Sequence, residues 1–250
     1  MIRNLLLLLL LSQIPSAAAG QGLSGKVTYS SEMLMPETFE AIKDTDPETY
    51  GKYLEFTRKI KRAYDQLEFT LTFKGPSSLY KTEPALGKGD GILDELVSSA
   101  RVFYNDLDTG ERLEQTELQG KDYIIARKPL SWTLTGETKQ IGKYRALQAT
   151  ASQDFFNYRT NKNIVQDIEA WFVPEIPVPF GPQGYEGLPG LIIELRVAGR
   201  HYLAKNISLG PITEEIRKPV EGKVVSFEEY QALSAGLSEK FREFVGHQDP

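Results

Sequence analysis

Apolar and polar side chains alternate with a period of two over several stretches of this chain. Val27, Tyr29, Ser31 and Met33 are interleaved with Lys26, Thr28, Ser30 and Glu32, and Leu67, Phe69, Leu71 and Phe73 with Glu68, Thr70, Thr72 and Lys74. Successive strand residues point to opposite faces, so each pattern predicts a half-buried strand. Gly75-Pro76 ends the second, and Ser78–Thr82 reads as the returning strand. From Arg101 to Arg127 the chain reads as a meander turning at Asp108-Thr109-Gly110 and Gly120-Lys121. Further strands are predicted at Trp132–Thr135, Lys143–Ala151 and Ile164–Val173, and Leu191–Val197 with His201–Ser208 forms a hairpin about Gly199.

Two segments have helical spacing instead. Asp46 before Pro47 and Glu48 is a helix start, with a capping side chain, a proline where no N–H is needed and an acid in the first turn. Tyr50, Tyr53, Leu54, Ile60, Ala63 and Tyr64 then share one face. Near the C-terminus, Ser226 and Glu229 make a capping box, followed by Tyr230, Leu233, Leu237, Phe241 and Phe244 at three- and four-residue steps. The pattern predicts a mainly β (α+β) fold. Its expected form is a curved antiparallel sheet or incomplete barrel, with a helical insert and a C-terminal amphipathic helix against its concave or open side. A β-sandwich is the alternative.

Residues 1–19 read as a secretory signal peptide. Arg3 is followed by the unbroken run Leu5–Leu11, and Ala17-Ala18-Ala19 offers small side chains for cleavage. The run is shorter than the ~20 apolar residues a membrane span needs, so no membrane span is expected after cleavage. The expected product is an exported protein, periplasmic or extracellular, with residues 20–250 as one β-rich domain carrying inserts near 36–63 and 84–99. The second insert holds Gly87, Gly89 and Gly91, but no Lys-Ser/Thr follows them, so it reads as a loop and not a phosphate cradle.

Composition narrows the chemistry. The chain has no cysteine, which excludes thiolate nucleophiles, disulfides and cysteine metal sites. Lys and Arg number 29 against 34 Asp and Glu, with the signs interspersed. Nucleic acid wants a concentrated basic footprint, so it is not an expected partner. The densest basic run, Arg58-Lys59-Ile60-Lys61-Arg62, reads as a solvated helix face.

The segment 174–192 contains Pro174, Pro177, Pro179, Pro182 and Pro189 with Gly181, Gly184, Gly187 and Gly190. Proline cannot donate to a sheet ladder, so this is a connection. Leu188-Pro189-Gly190-Leu191 matches a type II turn, with positive φ expected at Gly190, and Phe180–Gly184 suggests a second turn. Gly187, Pro189 and Gly190 are the expected structural turn residues. Turn chemistry explains every proline and glycine here. The functional alternative is a preformed lip for a ligand or partner, made by Trp171, Phe172, Phe180, Tyr185, Leu188 and Pro189.

Gly187-Leu188-Pro189-Gly190-Leu191-Ile192 spells the name motif of the GLPGLI family, exported proteins found mainly in Gram-negative bacteria of the Bacteroidota type. The flanks also resemble that family: Trp132-Thr133-Leu134, Glu137-Thr138-Lys139 and Ile141-Gly142-Lys143-Tyr144 upstream, then Ala170-Trp171-Phe172, Ile176-Pro177 and Gly181-Pro182. Two departures are plain. In the family the strand after Tyr144 often carries a cysteine where Ala146 stands here, and the inserts near 36–63 and 84–99 are longer. The resemblance implies a shape similar to the lipoprotein-carrier half-barrels and no established activity.

Candidate catalytic groups are sparse. His201 falls on a predicted strand and His247 in the polar tail, with no G-x-S-x-G elbow and no H-E-x-x-H. Asp106, Asp108 and Glu111 miss the spacing of a calcium loop and read as a hairpin turn, so neither metal nor cofactor is expected. Trp132 and Trp171 read as sheet aromatics before they read as stacking platforms. The leading expectation is a non-catalytic binding or chaperone-like protein with an apolar or peptide ligand. An accessory protein of an outer-membrane receptor or transport system comes second, and a carboxylate-dependent hydrolase third.

Overall fold

The computed structural model describes residues 22–34, 41, 43–64, 67–84, 101–157 and 162–246. The expected leader, most of the second insert and His247 lie outside these residues. Twelve strands form one sheet: β1 (Ser24–Met33), β2 (Leu67–Lys74), β3 (Ser77–Pro84), β4 (Val102–Asp106), β5 (Glu111–Leu118), β6 (Lys121–Ala126), β7 (Thr133–Ile141), β8 (Tyr144–Asn157), β9 (Lys162–Val173), β10 (Leu191–Val197), β11 (Arg200–Leu209) and β12 (Lys223–Ser226). Their spatial order is β12-β6-β5-β4-β3-β2-β1-β11-β10-β9-β8-β7. The first six strands meander outward from β1. The chain then jumps to the far edge and meanders back until β11 pairs with β1, Gly25 opposite Leu209.

That jump dictates curvature. Between Ala126 and Thr133 the chain spans at most about 25 Å, at ~3.6 Å per residue. On a flat sheet β6 and β7 would stand ten strand spacings apart, roughly 48 Å at ~4.8 Å each. The sheet therefore curls on itself, and it stays open between its edges. The expected curved sheet is what forms, and the sandwich does not.

One pairing departs from the expected antiparallel pattern. β12 runs parallel to β6, Val225 opposite Ile125. The cause is the long connection 210–222, which crosses the outer face of the sheet. Glu214 meets Lys26 at 3.6 Å and accepts from the Thr72 hydroxyl at 3.1 Å, Lys218 pairs with Glu111, and the Glu221 carbonyl accepts from Gln115 at 2.9 Å. This path brings β12 in from the same end as β6. β7 also runs beyond its expected end, because a bulge between Leu134 and Thr138 carries the strand past Gly136, whose φ is +84°.

Helix α1 (Pro47–Tyr64) starts as its sequence dictates: the Thr49 N–H donates to Asp46 Oδ1 at 3.1 Å. Its less exposed positions, Tyr50, Tyr53, Leu54, Thr57, Ile60, Ala63 and Tyr64, follow the helical period, and Arg58, Lys59, Lys61 and Arg62 face solvent. Helix α2 (Phe227–Gly246) carries the reciprocal capping box, with the Ser226 N–H on Glu229 Oε2 at 2.7 Å and the Glu229 N–H on Ser226 Oγ at 3.1 Å. It docks through Tyr230, buried against Ile125 and Val225. Among the described residues no helix is long and apolar enough to cross a membrane.

Candidate functional site

Inward-facing positions of the curled sheet surround a cavity of about 830 Å³, inside the ~300–1,000 Å³ usual for small-molecule sites. Leu67 and Phe69 of β2, Phe103 of β4 and Tyr202 of β11 form one side, and Ile164 and Gln166 of β9 form the other, with Val165 and Asp167 at its rim. Both helices border it, α1 through Tyr64 and α2 through Phe227. Tyr64 lies parallel to Phe69 with ring centroids 6.0 Å apart, and Tyr202 meets Phe69 edge-on at the same distance.

The proline- and glycine-rich segment folds into this concavity as a strut tied to both wings of the sheet. At its β10 end the Ile192 N–H donates to the Phe180 carbonyl at 3.0 Å, and at its far end the Gly184 carbonyl accepts from Asn105 of β4 at 3.3 Å and Arg127 at 3.0 Å. Glu186 receives Arg112 of β5 at 2.6 Å, and its carbonyl receives the Trp132 indole at 2.8 Å. The tip is tight: the Tyr185 N–H donates to Pro182, and Gln183 and Gly184 between them both have positive φ, +57° and +67°.

The type II turn expected at 188–191 does not form. Gly190 is absent from the positive-φ positions, the Leu191 N–H donates to Ile176, and the Gly190 N–H reaches back only to Leu188, at 2.8 Å. This is a three-residue turn about Pro189. Gly190 serves close approach instead of a left-handed backbone: a Cβ there would overlap the Val173 carbonyl oxygen and lie 2.6 Å from its carbon. The positive φ of this motif belongs to Gly187, at +96°.

The expected lip residues separate into three places. Phe172, Phe180 and Leu188 are fully buried in the core. Trp171 is buried with the Lys139 ammonium 4.0 Å from its ring centroid, and Pro189 is exposed. Tyr185 borders the cavity, edge-on to Trp132 at 6.3 Å.

Four cationic side chains line the cavity, Arg101, Arg127, Lys128 and Arg200, against the carboxylates Glu114 and Asp167. Arg101 bonds Glu114 at 2.7 Å, Arg127 lies 4.0 Å from the same carboxylate, and Lys128 pairs with Glu228 of α2. Burial lowers the Arg127 pKa, opposed chiefly by Glu114. Its guanidinium faces the rings of Phe103 and Tyr185 at 5.1 and 5.7 Å. Arg200 stacks over Tyr64 at 4.1 Å. Nearby, burial pushes the Tyr202 hydroxyl up to about 12 and the Tyr80 hydroxyl well above its ordinary range, with Arg200 opposing both.

A second charged cluster lies on the opposite face of the sheet. Glu194 is almost fully buried and bonds Lys139 at 2.7 Å and His201 at 3.0 Å, with Arg196 at 3.5 Å. Burial pushes its carboxyl up, but Lys139 and then His201 outweigh it, so the pKa sits below the usual value. Asp106 is the acceptor of a hairpin turn, taking the Thr109 N–H at 2.9 Å and the Ser77 hydroxyl at 2.9 Å.

Tyr64, Arg101, Arg127, Arg200 and Tyr202 were not singled out as site residues by sequence reasoning, which placed Tyr64 only on the apolar face of a helix. The alternation at Arg200 and Tyr202 signals that both face the same side, but not that an arginine faces inward, because the position of the cavity depends on strands far away in the chain.

A family described as "Protein of unknown function (Porph_ging)" matches residues 156–194, which run from the end of β8 through the strut to Glu194. No curated protein matches the chain.

Proposed function

We propose that this is an exported envelope protein of the GLPGLI type, one domain after loss of residues 1–19, that holds an apolar ligand inside its curled sheet and performs no catalysis. The observation that carries the reading is the cavity of about 830 Å³, floored by Leu67, Phe69, Phe103 and Tyr202. Its walls are set by the sheet and braced by the strut, so little ordering cost falls on binding. Ile164, 39% accessible at the other wall, is apolar surface that a ligand would cover.

Native mass spectrometry of the protein released gently from cells tests this. The expected spectrum shows a bound small molecule on a chain beginning at Gly20, and Ile164→Glu reduces its occupancy. A bare mass for the wild type, together with no uptake of the uncharged dye N-phenyl-1-naphthylamine, would refute the binding role. An intact residue 1–19 segment would refute export by cleavage.

A further inference from the structure

Arg200 stands apart from the other cations of the cavity. Arg101 and Arg127 share Glu114, and Lys128 has Glu228. Among the described residues no carboxylate pairs with Arg200, and its Nη1 is sealed from solvent without a hydrogen-bond acceptor. Its stacking on Tyr64 fixes the plane of the guanidinium but satisfies none of its N–H groups in-plane. Asp167, at the rim of the other wall, is solvent-exposed and makes no bond to it.

Other polar groups lie on this inner face. The Tyr80 hydroxyl is buried beside Gln183, and the Ser31 hydroxyl is buried beside Tyr202, its neighbour directly across the β1–β11 pair. Gln183 at the tip of the strut borders the same cavity. Leaving a buried polar group unmatched is costly, and most for a charged one. An orphaned cation with an apolar floor of Leu67 and Phe69 beside it is matched by a molecule that has an anion at one end and hydrocarbon at the other.

We propose that the ligand is a single-chain amphiphile with one anionic head, of the long-chain carboxylate class, with its head against the Arg200 guanidinium and its chain along Leu67, Phe69 and Ile164. A planar carboxylate suits the guanidinium fork, and the guanidinium is less strongly hydrated than an ammonium, so this pairing survives in a partly dry cavity. The inference rests on the binding role proposed above and specifies its ligand.

Isothermal titration of the purified protein with palmitate, hexadecanol, hexadecyltrimethylammonium and acetate separates the two ideas. Palmitate is expected to bind at least tenfold more tightly than hexadecanol, and the cationic chain and acetate to bind more weakly still. Arg200→Gln should weaken palmitate about tenfold and leave hexadecanol unchanged, with Arg200→Lys in between. Equal affinity for palmitate and hexadecanol, or tighter binding of the cationic chain, would overturn the anionic head while leaving an apolar site in place. No binding of any chain would overturn both. Because the head-group comparison is made on the wild type, it stands even if an Arg200 variant misfolds.

Discussion

The Arg127 guanidinium donates to the Gly184 carbonyl at 3.0 Å, and a Cβ on Gly184 would be driven into the same nitrogen and to 2.8 Å from the Phe103 Cβ. The hydrogen bond and the missing side chain are two sides of one contact. It joins the tip of the strut to the β6 end of the sheet and closes the floor of the cavity.

Gly184→Ala is therefore expected to lose more than the ~1–2 kcal/mol that a left-handed backbone costs an L-residue. Displacement of Arg127 adds an unmet buried charge, bringing the total to roughly 3–5 kcal/mol. Urea unfolding checks it. A loss under 1 kcal/mol would mean that the strut does not seat against Arg127.

The local parts of this architecture and the curvature of its sheet were legible, and the order of its strands was not. Alternation at 27–33 and 67–73, the hairpin about Gly199 and the caps at Asp46 and Ser226 are properties of a few adjacent residues, and the strands, hairpin and helix starts all form, although Met33 is exposed and Thr70 and Thr72 are buried as well. The strand order, with a six-residue connection joining β6 to β7 across almost the whole sheet, is encoded by no local pattern. β12 is four residues long, Lys223–Ser226, and takes its direction from a crossing that begins at Gly210. Gly190 was legible as a necessary glycine but for the wrong reason, since a close approach by Val173 leaves no mark in the adjacent sequence.

The two glycines of the Gly187–Gly190 motif should respond differently to alanine. Gly187 has φ +96° and open space around it, with its nearest neighbour the Trp132 ring at 3.9 Å. Gly187→Ala should cost about 1–2 kcal/mol, the price of the backbone alone. Gly190→Ala collides with backbone that β9 and β10 hold in place, so it should cost about 3 kcal/mol or more. At ~2–4 °C per kcal/mol for a chain of this size, thermal unfolding separates them readily. Equal losses would restore the type II turn as the better description.

Acid should act through Glu194. Its folded pKa is below the ordinary 4.5 because Lys139 and His201 outweigh the burial that pushes it up. A depressed carboxyl contributes stability above its unfolded pKa, and that contribution is lost as pH falls through the folded value. Lys139, Arg196 and His201 face it, and protonating the carboxylate removes the charge they pair with. Wild-type urea midpoints should drop between pH 5 and pH 3 by more than those of Glu194→Gln. At pH 7 the variant should be weaker by about 1–3 kcal/mol, as befits a charge-assisted bond. Parallel midpoint curves for the two proteins would remove Glu194 from the acid response.

Tyr29 repairs a defect in the sheet. β10 bulges between Ile192 and Glu194 against β9, and at that irregularity the Tyr29 hydroxyl donates to the Ile192 carbonyl at 2.8 Å. Burial raises the Tyr29 pKa far above neutrality, so the proton stays on the oxygen and the donor is permanent. Tyr29→Phe keeps the ring, including its contact with Tyr80 at 6.3 Å, and removes only the donor. The Ile192 carbonyl then loses that donor, at a cost of about 1–3 kcal/mol. Hydrogen exchange should show the effect first in amides of β9 and β10, because the bulge is where their ladder is already interrupted. If exchange instead rises uniformly or not at all, the hydroxyl is not what secures the strand from which the strut departs.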